Sequence, residues 1–391
     1  MRQATRRAWR ATAILAVGAI GLAACSSSST KTSTTTGASG GGQTVKIGFF
    51  GSLTGPNSPQ LGINEADGVQ LAINQYNAKN PAVKVQYVPY DSQGDPSIAP
   101  SEAQKAITDK VVAIVGPAFS GESKAVLPTF EQAGIVSVTP SATDPTLATH
   151  SYQFWHRVVA TDAFQAPADV KWLTKKLNGK NIGVIDDKSD YGKGIADTVR
   201  SGATTAGATV VSDSIDPKSQ DFSSTVNKMH SAKVDSIFYG GYYADLARLL
   251  KQFRDGGVTA PIVSDDGAAD PKLLASAPTE VNTYATCACL IATADPNSTA
   301  FVTAYTAAFN APPGTYSTEA YDAANQLLDA ISHGNTTSAA INAYINTTPY
   351  KGLSKTISYD AKHEISGGGI DIYQAQSGKL VLLGLVDTLV P

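Results

Sequence analysis

Short β-branched runs alternate with amphipathic stretches along most of the chain, and this alternation predicts the fold. The run at 45–51 predicts a strand, and the stretch at 62–79 that follows it carries Val69, Ile73 and Tyr76 at helical spacing. The pattern continues with strands predicted at 83–90, 111–115 and 135–139 and helices at 96–109 and 121–132. Such alternation is typical of βαβ units with a parallel sheet.

A loop-rich passage at 140–161 interrupts this rhythm, and a second set of units follows it. That set has a helix beginning at Phe164, helices at 191–206, 222–231 and 244–255, and strands at 181–186, 209–214, 234–239 and 261–264. The tail is less regular, with helices expected near 297–310, 317–332 and 338–345 and strands at 356–359, 369–374 and 380–386. We therefore predict an α/β protein with two doubly wound, Rossmann-like lobes.

The N-terminal segment has the composition of an export signal. Residues 1–10 carry four arginines and no acid, and the apolar run at 11–22 is shorter than the roughly 20 residues that a membrane-spanning helix needs. The sequence Leu22-Ala23-Ala24-Cys25 is similar to the box at which bacterial lipoproteins are cleaved and lipidated, although ordinary cleavage beside an incidental cysteine is the alternative. A Ser/Thr/Gly-rich tether is expected at 25–43. We expect a signal peptide at 1–24, lipid on Cys25, and a protein anchored on the extracytoplasmic face of the cell membrane, in the periplasm or at the cell surface.

Composition and motifs argue against several classes of protein. Lys and Arg number 30 against 33 Asp and Glu, and no basic patch interleaved with aromatics indicates nucleic-acid binding. The five histidines are scattered without a metal-ligand pair, so no metal and no cofactor is expected. Neither a Gly-x-Ser-x-Gly elbow nor a dinucleotide fingerprint is present, so we expect a binding protein and not an enzyme.

Two cysteines remain once Cys25 is assigned to lipid. Cys287 and Cys289 are separated by one residue. In a strand, two such Cα atoms lie about 6.5–7 Å apart, near the upper limit for a disulfide. A strained disulfide and two packed apolar thiols are both compatible with this spacing.

Polar loops follow the predicted strands, where ligands of open parallel sheets bind near helix N-termini. These loops are rich in Ser, Thr, Tyr, Gly and Asp and lie at 51–61, 116–121, 140–144, 186–194, 240–243 and 265–267. A buried ammonium or carboxylate is costly unless it is paired and hydrogen-bonded. A receptor for a free amino acid therefore needs one acid, a cluster of hydroxyl and N–H donors, and an apolar wall.

The same loops carry a resemblance to a known family. The chain resembles the type I periplasmic (solute-)binding proteins of ABC transporters, in particular the leucine/isoleucine/valine-binding branch. The matching stretches are GSLTGP at 51–56, YDSQGDP at 90–96, TPSATDP at 139–145, DKSDYGKG at 187–194 and YGGYY at 239–243. The resemblance implies an extracytoplasmic substrate-binding lipoprotein that holds a free amino acid, aliphatic or branched-chain, and works with the permease subunits of an importer.

The resemblance also implies which residues of the first lobe hold the ligand. Ser120 matches the serine whose hydroxyl binds the α-carboxylate, and Thr143 matches the threonine that binds both the carboxylate and the ammonium. Ser141 and Ala142 offer backbone groups beside them. Capping of the following helices is the alternative role for Ser120 and Thr143.

Further site residues are implied around the ammonium and the side chain. Asp266 falls where the family has a glutamate facing the ammonium, although it could be a turn residue, with Asp265 as the competing acid. Tyr191 and Tyr242 fall where tyrosines close over the ligand, and packing tyrosines are the alternative. Leu61 matches an apolar wall of the side-chain pocket.

This sequence departs from the family pattern at three places. Asp266 is one methylene shorter than the glutamate, so the ligand must sit closer or a water must bridge. Gly94 and Phe119 stand where relatives carry cysteines that bridge the first lobe. Leu61 replaces a large aromatic residue and opens the side-chain pocket, which leaves the choice of amino acid open.

The breaks between the two sets of units predict how the lobes are joined. We expect a hinge of three crossovers near 158–162, 289–292 and 366–370, with lobe 1 at 44–160 and 291–367 and lobe 2 at 161–290 and 368–391. Closure of the hinge on the ligand is the expected mechanism. A receptor of the same fold that signals to a protein partner, or one that binds another small amide or carboxylate, is the alternative.

Overall fold

The computed structural model describes residues 42–56, 58–276, 282–365 and 368–391. The predicted signal peptide, Cys25 and all but the end of the predicted tether lie outside the described residues. None of the helices within these ranges has both the length and the apolar character that crossing a bilayer requires.

The bounds of the elements are close to those expected from the sequence pattern. The strands are β1 (Gln43–Gly51), β2 (Val83–Asp91), β3 (Ala113–Val115), β4 (Val136–Thr139), β5 (Trp155–Arg157), β6 (Asn181–Asp186), β7 (Thr209–Ser214), β8 (Ser236–Gly240), β9 (Ile262–Ser264), β10 (Thr283–Cys287), β11 (Tyr350–Lys351), β12 (Thr356–Ile357), β13 (Asp371–Gln376) and β14 (Lys379–Leu385). The helices are α1 (Pro59–Ala78), α2 (Ala99–Thr108), α3 (Ser120–Ala133), α4 (Asp162–Lys171), α5 (Asp190–Thr205), α6 (Ser223–Ala232), α7 (Tyr243–Asp255), α8 (Pro271–Ser276), α9 (Thr299–Phe309), α10 (Ser317–Ser332), α11 (Ser338–Thr347) and α12 (Val386–Leu389).

Two large sheets organise these elements and define the two lobes. The first lobe has a five-stranded parallel sheet in the order β2-β1-β3-β4-β5. The second lobe has a seven-stranded sheet in the order β14-β13-β10-β9-β8-β6-β7, in which β6 to β10 are parallel and β13 and β14 form an antiparallel edge. The predicted α/β class with two parallel-sheet lobes is confirmed.

Apolar periodicity explains why these elements form and pack. Helix α7 buries Leu246, Leu249, Leu250 and Phe253 on one face, at the spacing of an amphipathic helix. Strand β1 is buried along most of its length, as expected for a central strand covered on both faces. The cores therefore hold the carboxyl ends of the strands, and the polar loops that follow them, in fixed positions.

The chain passes between the two sheets three times, after β5, after β10 and after β12. Helix α10, which comes after the second passage, returns to pack on α1, β3 and β4 of the first lobe. The predicted crossovers at 158–162 and 289–292 fall in the first two passages. The third, 366–370, falls in the last passage and includes residues 366 and 367, which lie outside the described residues. The lobe bounds themselves stay a prediction.

Five elements were not predicted from the sequence. Strand β5 lies inside the passage expected to be loops, and α8, β10, β11 and α12 were also missed. These elements are short, and β5 has only three residues, all buried, so that no alternation of polar and apolar positions marks it. Its partner β4 pairs with it in parallel and makes it the edge of the first sheet.

The two cysteines of the second passage form a disulfide. The Cα atoms of Cys287 and Cys289 are 5.0 Å apart. Strand β10 ends at Cys287, so the chain bends before Cys289 and the longer spacing of an extended strand does not apply. Of the two possibilities that the sequence left open, the structure has the disulfide.

Candidate functional site

A narrow cavity lies between the loops at the carboxyl ends of the two sheets. It is lined from the first lobe by Leu61, Ala118, Phe119, Ser120, Ser141 and Tyr316, and from the second by Tyr191, Tyr242, Asp266 and Gly267. Six of the eight residues predicted to hold the ligand are therefore brought together here. Ala142 and Thr143 lie in the same loop as Ser141 but do not line the cavity.

Asp266 is the acid of the cavity and is held by two tyrosines. Its side chain lies just after β9 and is 2% exposed. The Tyr191 hydroxyl donates to Oδ1 at 2.9 Å and the Tyr316 hydroxyl donates to Oδ2 at 2.7 Å. Burial raises the pKa of Asp266, whereas the two hydroxyl donors lower it. The carboxylate is thus fixed in orientation and bonded from both lobes.

Three more buried carboxyls surround Asp266 and make this side of the cavity strongly acidic. Burial, reinforced by the charge of Asp266, raises the pKa of Asp162 to about 8. Burial also raises the pKa of Asp169 and of Asp265 well above the ordinary range, and the charge of Asp266 adds to both shifts. Asp265, the competing candidate, does not line the cavity, and its Oδ2 accepts from the Gly241 N–H at 3.2 Å. A raised pKa favours the neutral carboxyl, so a cationic group in the cavity would pair chiefly with Asp266 and not with its three neighbours.

Two serines of the first lobe, Ser120 and Ser141, also line the cavity. Ser120 is the first residue of α3, and its hydroxyl accepts from the Asp144 N–H at 3.3 Å. The Ser141 hydroxyl donates to the Ala118 carbonyl at 2.7 Å. The amino end of a helix favours an anion, and at α3 the N–H of Phe119 donates to the buried Glu122 carboxylate at 2.8 Å. An amino acid that lies between α3 and Asp266 would have its carboxylate and ammonium on the favourable sides.

The backbone around Thr143 is engaged within its own loop. The Ala142 N–H donates to the Thr139 hydroxyl at 3.0 Å, and that of Ser141 donates to it at 3.4 Å. Thr143 is fully buried, and its hydroxyl lies beside the Asp162 carboxyl, whose pKa it lowers. In this arrangement the N–H groups expected to face the ligand are used to shape the loop.

Aromatic rings from both lobes form the apolar wall. The ring of Tyr242 lies 5.1 Å from that of Phe119 across the cavity and 5.4 Å from that of Tyr191. Leu61 is buried beside them. The wall is therefore aromatic although Leu61 is not, because Phe119 and Tyr316 also line the space.

Tyr316 is the site residue that sequence reasoning missed. It directly precedes α10, is 2% exposed, and has a φ of 66°, in the left-handed region that a tyrosine seldom adopts. Such a conformation persists only where the surroundings hold it, and it is enriched at ligand sites. No sequence signal marks Tyr316, because φ cannot be read from Gly314-Thr315-Tyr316 and the tail carries no recognised loop motif.

Polar contacts also join the two lobes around the cavity. The Asn64 side-chain amide donates to Asp270 Oδ2 at 2.8 Å, and the Thr315 hydroxyl donates to the Ala269 carbonyl. At the outer rim, Lys124 of α3 lies 3.1 Å from Asp190 of α5. The lobes therefore meet on several sides of the cavity. Within the described ranges, no group of His, Cys, Asp and Glu is arranged to hold a metal ion.

Two parallel-sheet lobes joined by three passages define a two-lobed α/β protein, and a cavity between the lobes is lined from both. A family model of periplasmic binding proteins matches residues 44–379, and the chain belongs to this family. The family works outside the cytoplasm and consists of solute-binding proteins, which agrees with the prediction that the chain is not an enzyme.

Relatives of known name and structure share much of the chain. The Leu/Ile/Val-binding protein of Escherichia coli K12 is 31% identical over 234 residues, which cover 59% of this chain and 64% of that protein. The leucine-, isoleucine-, valine-, threonine-, and alanine-binding protein of Pseudomonas aeruginosa is 26% identical over 335 residues, or 85% of this chain and 90% of that protein. The substrate-binding protein LivJ of Streptococcus pneumoniae, in complex with isoleucine, superposes with a TM-score of 0.79 at 27% identity, over 88% of this chain and 100% of that one.

Proposed function

We propose that the protein binds a free amino acid, aliphatic or branched-chain, between its lobes and delivers it to the permease of an ABC importer. The observation that carries the proposal is the buried carboxylate of Asp266, which two tyrosine hydroxyls hold at a cavity that serines and aromatic side chains also line. The names of the relatives, which refer to leucine, isoleucine and valine, support this choice of ligand.

The ligand would lie with its two charges on opposite sides of the cavity. Its ammonium would bind Asp266, whose carboxylate the Tyr191 and Tyr316 hydroxyls hold in place. Its carboxylate would face Ser120 at the amino end of α3, with Thr143 and the backbone of Ser141 and Ala142 in the adjoining loop. Its side chain would pack against Leu61 and the neighbouring rings, including Tyr242. A pairing of both charges offsets the cost of removing them from water.

Closure of the two lobes would complete the site. We propose lobe 1 at 44–160 and 291–367 and lobe 2 at 161–290 and 368–391, with bending in the three passages between the sheets. The cavity is lined from both lobes, so neither lobe alone provides the full set of contacts. A ligand that bonds to both lobes shifts the equilibrium toward the closed form by its differential affinity.

The N-terminal sequence supports a location beside the permease. We propose that Cys25 carries a lipid and that 25–43 tethers the protein to the extracytoplasmic face of the membrane. A Ser/Thr/Gly-rich tether of this length lets the folded part move near the membrane without leaving it. Permease subunits would then receive the ligand over a short distance.

Calorimetry with a panel of ligands tests the proposed function. The panel holds the common amino acids, together with 4-methylpentanoate and isoamylamine, which are leucine without its ammonium and without its carboxylate. We expect an aliphatic amino acid to bind most tightly and each single-charge analogue to bind at least about 100-fold more weakly, since each leaves one set of polar partners unpaired. If 4-methylpentanoate binds as well as leucine, the protein is a receptor for carboxylates, and the assignment of an amino acid is wrong.

A further inference from the structure

A fully buried arginine lies beneath the loop that is proposed to hold the ligand's carboxylate. Arg157 ends β5, and its side chain is 0% exposed. The ring of Trp155 covers one side of it, with the guanidinium carbon 5.0 Å from the ring centroid. A buried arginine keeps its charge, so its partners must satisfy it.

One nitrogen of Arg157 bonds to the loop on both sides of Thr143. Nη1 donates to the carbonyl of Ala142 at 2.8 Å and to the carbonyl of Asp144 at 2.8 Å. The Thr143 carbonyl between them accepts from the Asp162 N–H, at the start of α4, at 3.0 Å. Three consecutive carbonyls of the loop are thereby fixed, and the direction of the Thr143 N–H and side chain is fixed with them.

The other side of the guanidinium bonds to the segment that leads into the third passage between the lobes. Nε donates to Glu364 Oε2 at 2.9 Å, and Nη2 donates to Glu364 Oε1. The Arg157 N–H also donates to the His363 carbonyl at 3.1 Å. This two-pronged arginine–carboxylate pair is geometrically specific, and a lysine cannot reproduce it together with the two carbonyl contacts.

We infer that Arg157 is a positioning residue for the ligand's carboxylate, and that Glu364 fixes Arg157 in place. The inference rests on the proposed function. Arg157 does not line the cavity and acts through the loop, whose shape it sets from beneath. Glu364 lies just before the crossover at 366–370. The Arg157 side chain therefore connects the segment that enters this crossover to the loop at 142–144. Disturbing the pair should therefore weaken recognition of the carboxylate more than recognition of the rest of the ligand.

The test compares leucine with leucinamide, which differs from leucine only at the carboxylate. For each variant the ratio of the two dissociation constants is measured by calorimetry, together with Tm. The variants are Arg157→Lys and Glu364→Gln, and the matched control is Arg200→Lys. Arg200 likewise forms a pair with a buried aspartate, Asp186, and donates to a carbonyl, that of Asp213, at 3.2 Å, but it lies away from the cavity.

We expect wild-type protein to prefer leucine, Arg157→Lys to reduce this preference by about tenfold, and Glu364→Gln to reduce it by about threefold. Arg200→Lys should lower Tm and leave the preference within about twofold of wild type. A general loss of stability in the first lobe would lower Tm without changing the ratio of dissociation constants. The ratio therefore distinguishes a residue that positions the loop for the ligand's carboxylate from one that only stabilises the fold.

A wild-type ratio in Arg157→Lys would overturn the inference and leave the proposed function standing. If that variant is recovered only unfolded, Glu364→Gln decides, and an unchanged ratio there has the same meaning. If wild-type protein binds neither compound nor any other aliphatic amino acid of the panel, the proposed function itself is wrong and the inference falls with it.

Discussion

Replacement of Asp266 by asparagine removes one negative charge from the cavity and leaves its shape unchanged. The carboxylate has two tyrosine donors, at 2.9 and 2.7 Å, and one tyrosine comes from each lobe. Asparagine can still accept from one of them, but its amide nitrogen then faces the other hydroxyl. The change therefore removes the charge that is proposed to pair with the ligand's ammonium and disturbs one hydrogen bond.

The size of the effect follows from these contacts. Hydrogen bonds to a charged group contribute about 1.5–3 kcal/mol, and removing one partner of a buried ion pair costs roughly 3–5 kcal/mol. Because asparagine keeps part of the hydrogen bonding, we expect a loss near the lower end of the second range, about 3 kcal/mol. At about 1.4 kcal/mol per tenfold, this corresponds to binding that is weaker by roughly 100- to 200-fold.

Stability should respond in the opposite direction. Burial raises the pKa of Asp266, so the folded protein holds this carboxylate at a cost at neutral pH. Asp266→Asn removes that cost, and we expect Tm to stay the same or to rise. A loss of affinity without a loss of stability is the signature of a residue that is kept for binding.

Calorimetry with leucine and thermal unfolding would measure both quantities, with Asp322→Asn as the matched control. Asp322 is equally buried, but it accepts from the N–H groups of Leu353 and Ser354, each at 2.7 Å, and does not line the cavity. Its replacement should leave the affinity within about twofold of wild type, since it alters no ligand contact. If Asp266→Asn binds leucine within about threefold of wild type, Asp266 is not the partner of the ammonium, and the reasoning is refuted.

Three further changes test other parts of the account. Tyr316→Phe removes one hydrogen-bond donor from Asp266 and should weaken leucine binding by about tenfold in calorimetry. The control Tyr305→Phe loses a hydrogen bond to the Asn64 carbonyl at 3.1 Å and should leave the affinity for leucine nearly unchanged. Equal effects of the two variants would contradict a special role for Tyr316. Burial raises the pKa of Asp162 to about 8 in the folded protein, above its unfolded value of about 3.9, so between these pH values the folded state binds one more proton than the unfolded state. The free energy of unfolding therefore falls as pH rises through this window, by up to about 1.4 kcal/mol per pH unit. Urea unfolding from pH 4 to 8 should show a shallower decline for Asp162→Asn than for wild type, and an unchanged slope would contradict the raised pKa. Cys25→Ser should move the protein from the membrane fraction to the soluble extracytoplasmic fraction, and retention in the membrane would contradict a lipid on Cys25.

The elements with strong periodicity were predictable from the sequence. The strands at 181–186 and 209–214 and the helix at 317–332 have the same bounds in the structure, because apolar spacing and flanking turn residues mark both ends. Strand β5 was not predictable, since its three buried residues acquire their role only by pairing with β4. The local sequence pattern predicts an element whose conformation is determined by its own residues. It does not predict an element, such as β5, that forms only by pairing with a distant strand.

The candidate site shows the same division. The loop motifs predicted that Ser120, Ser141, Tyr191 and Asp266 would meet, because parallel strands bring their carboxyl ends to one edge. They did not predict Tyr316, which comes from the tail and reaches Asp266 only because α10 packs back on the first lobe. They also did not predict that Arg157 donates hydrogen bonds to the carbonyls on both sides of Thr143. Arg157 lies on the edge strand β5, which the sequence pattern did not reveal.

A crystal structure of the protein grown with leucine would show directly where and in which orientation the ligand binds. We expect leucine between the lobes, with its ammonium nitrogen at hydrogen-bonding distance, about 3 Å, from Asp266, its carboxylate at Ser120 and its side chain against Leu61. Leucine in the reversed orientation, or bound outside the cavity, would contradict this expectation.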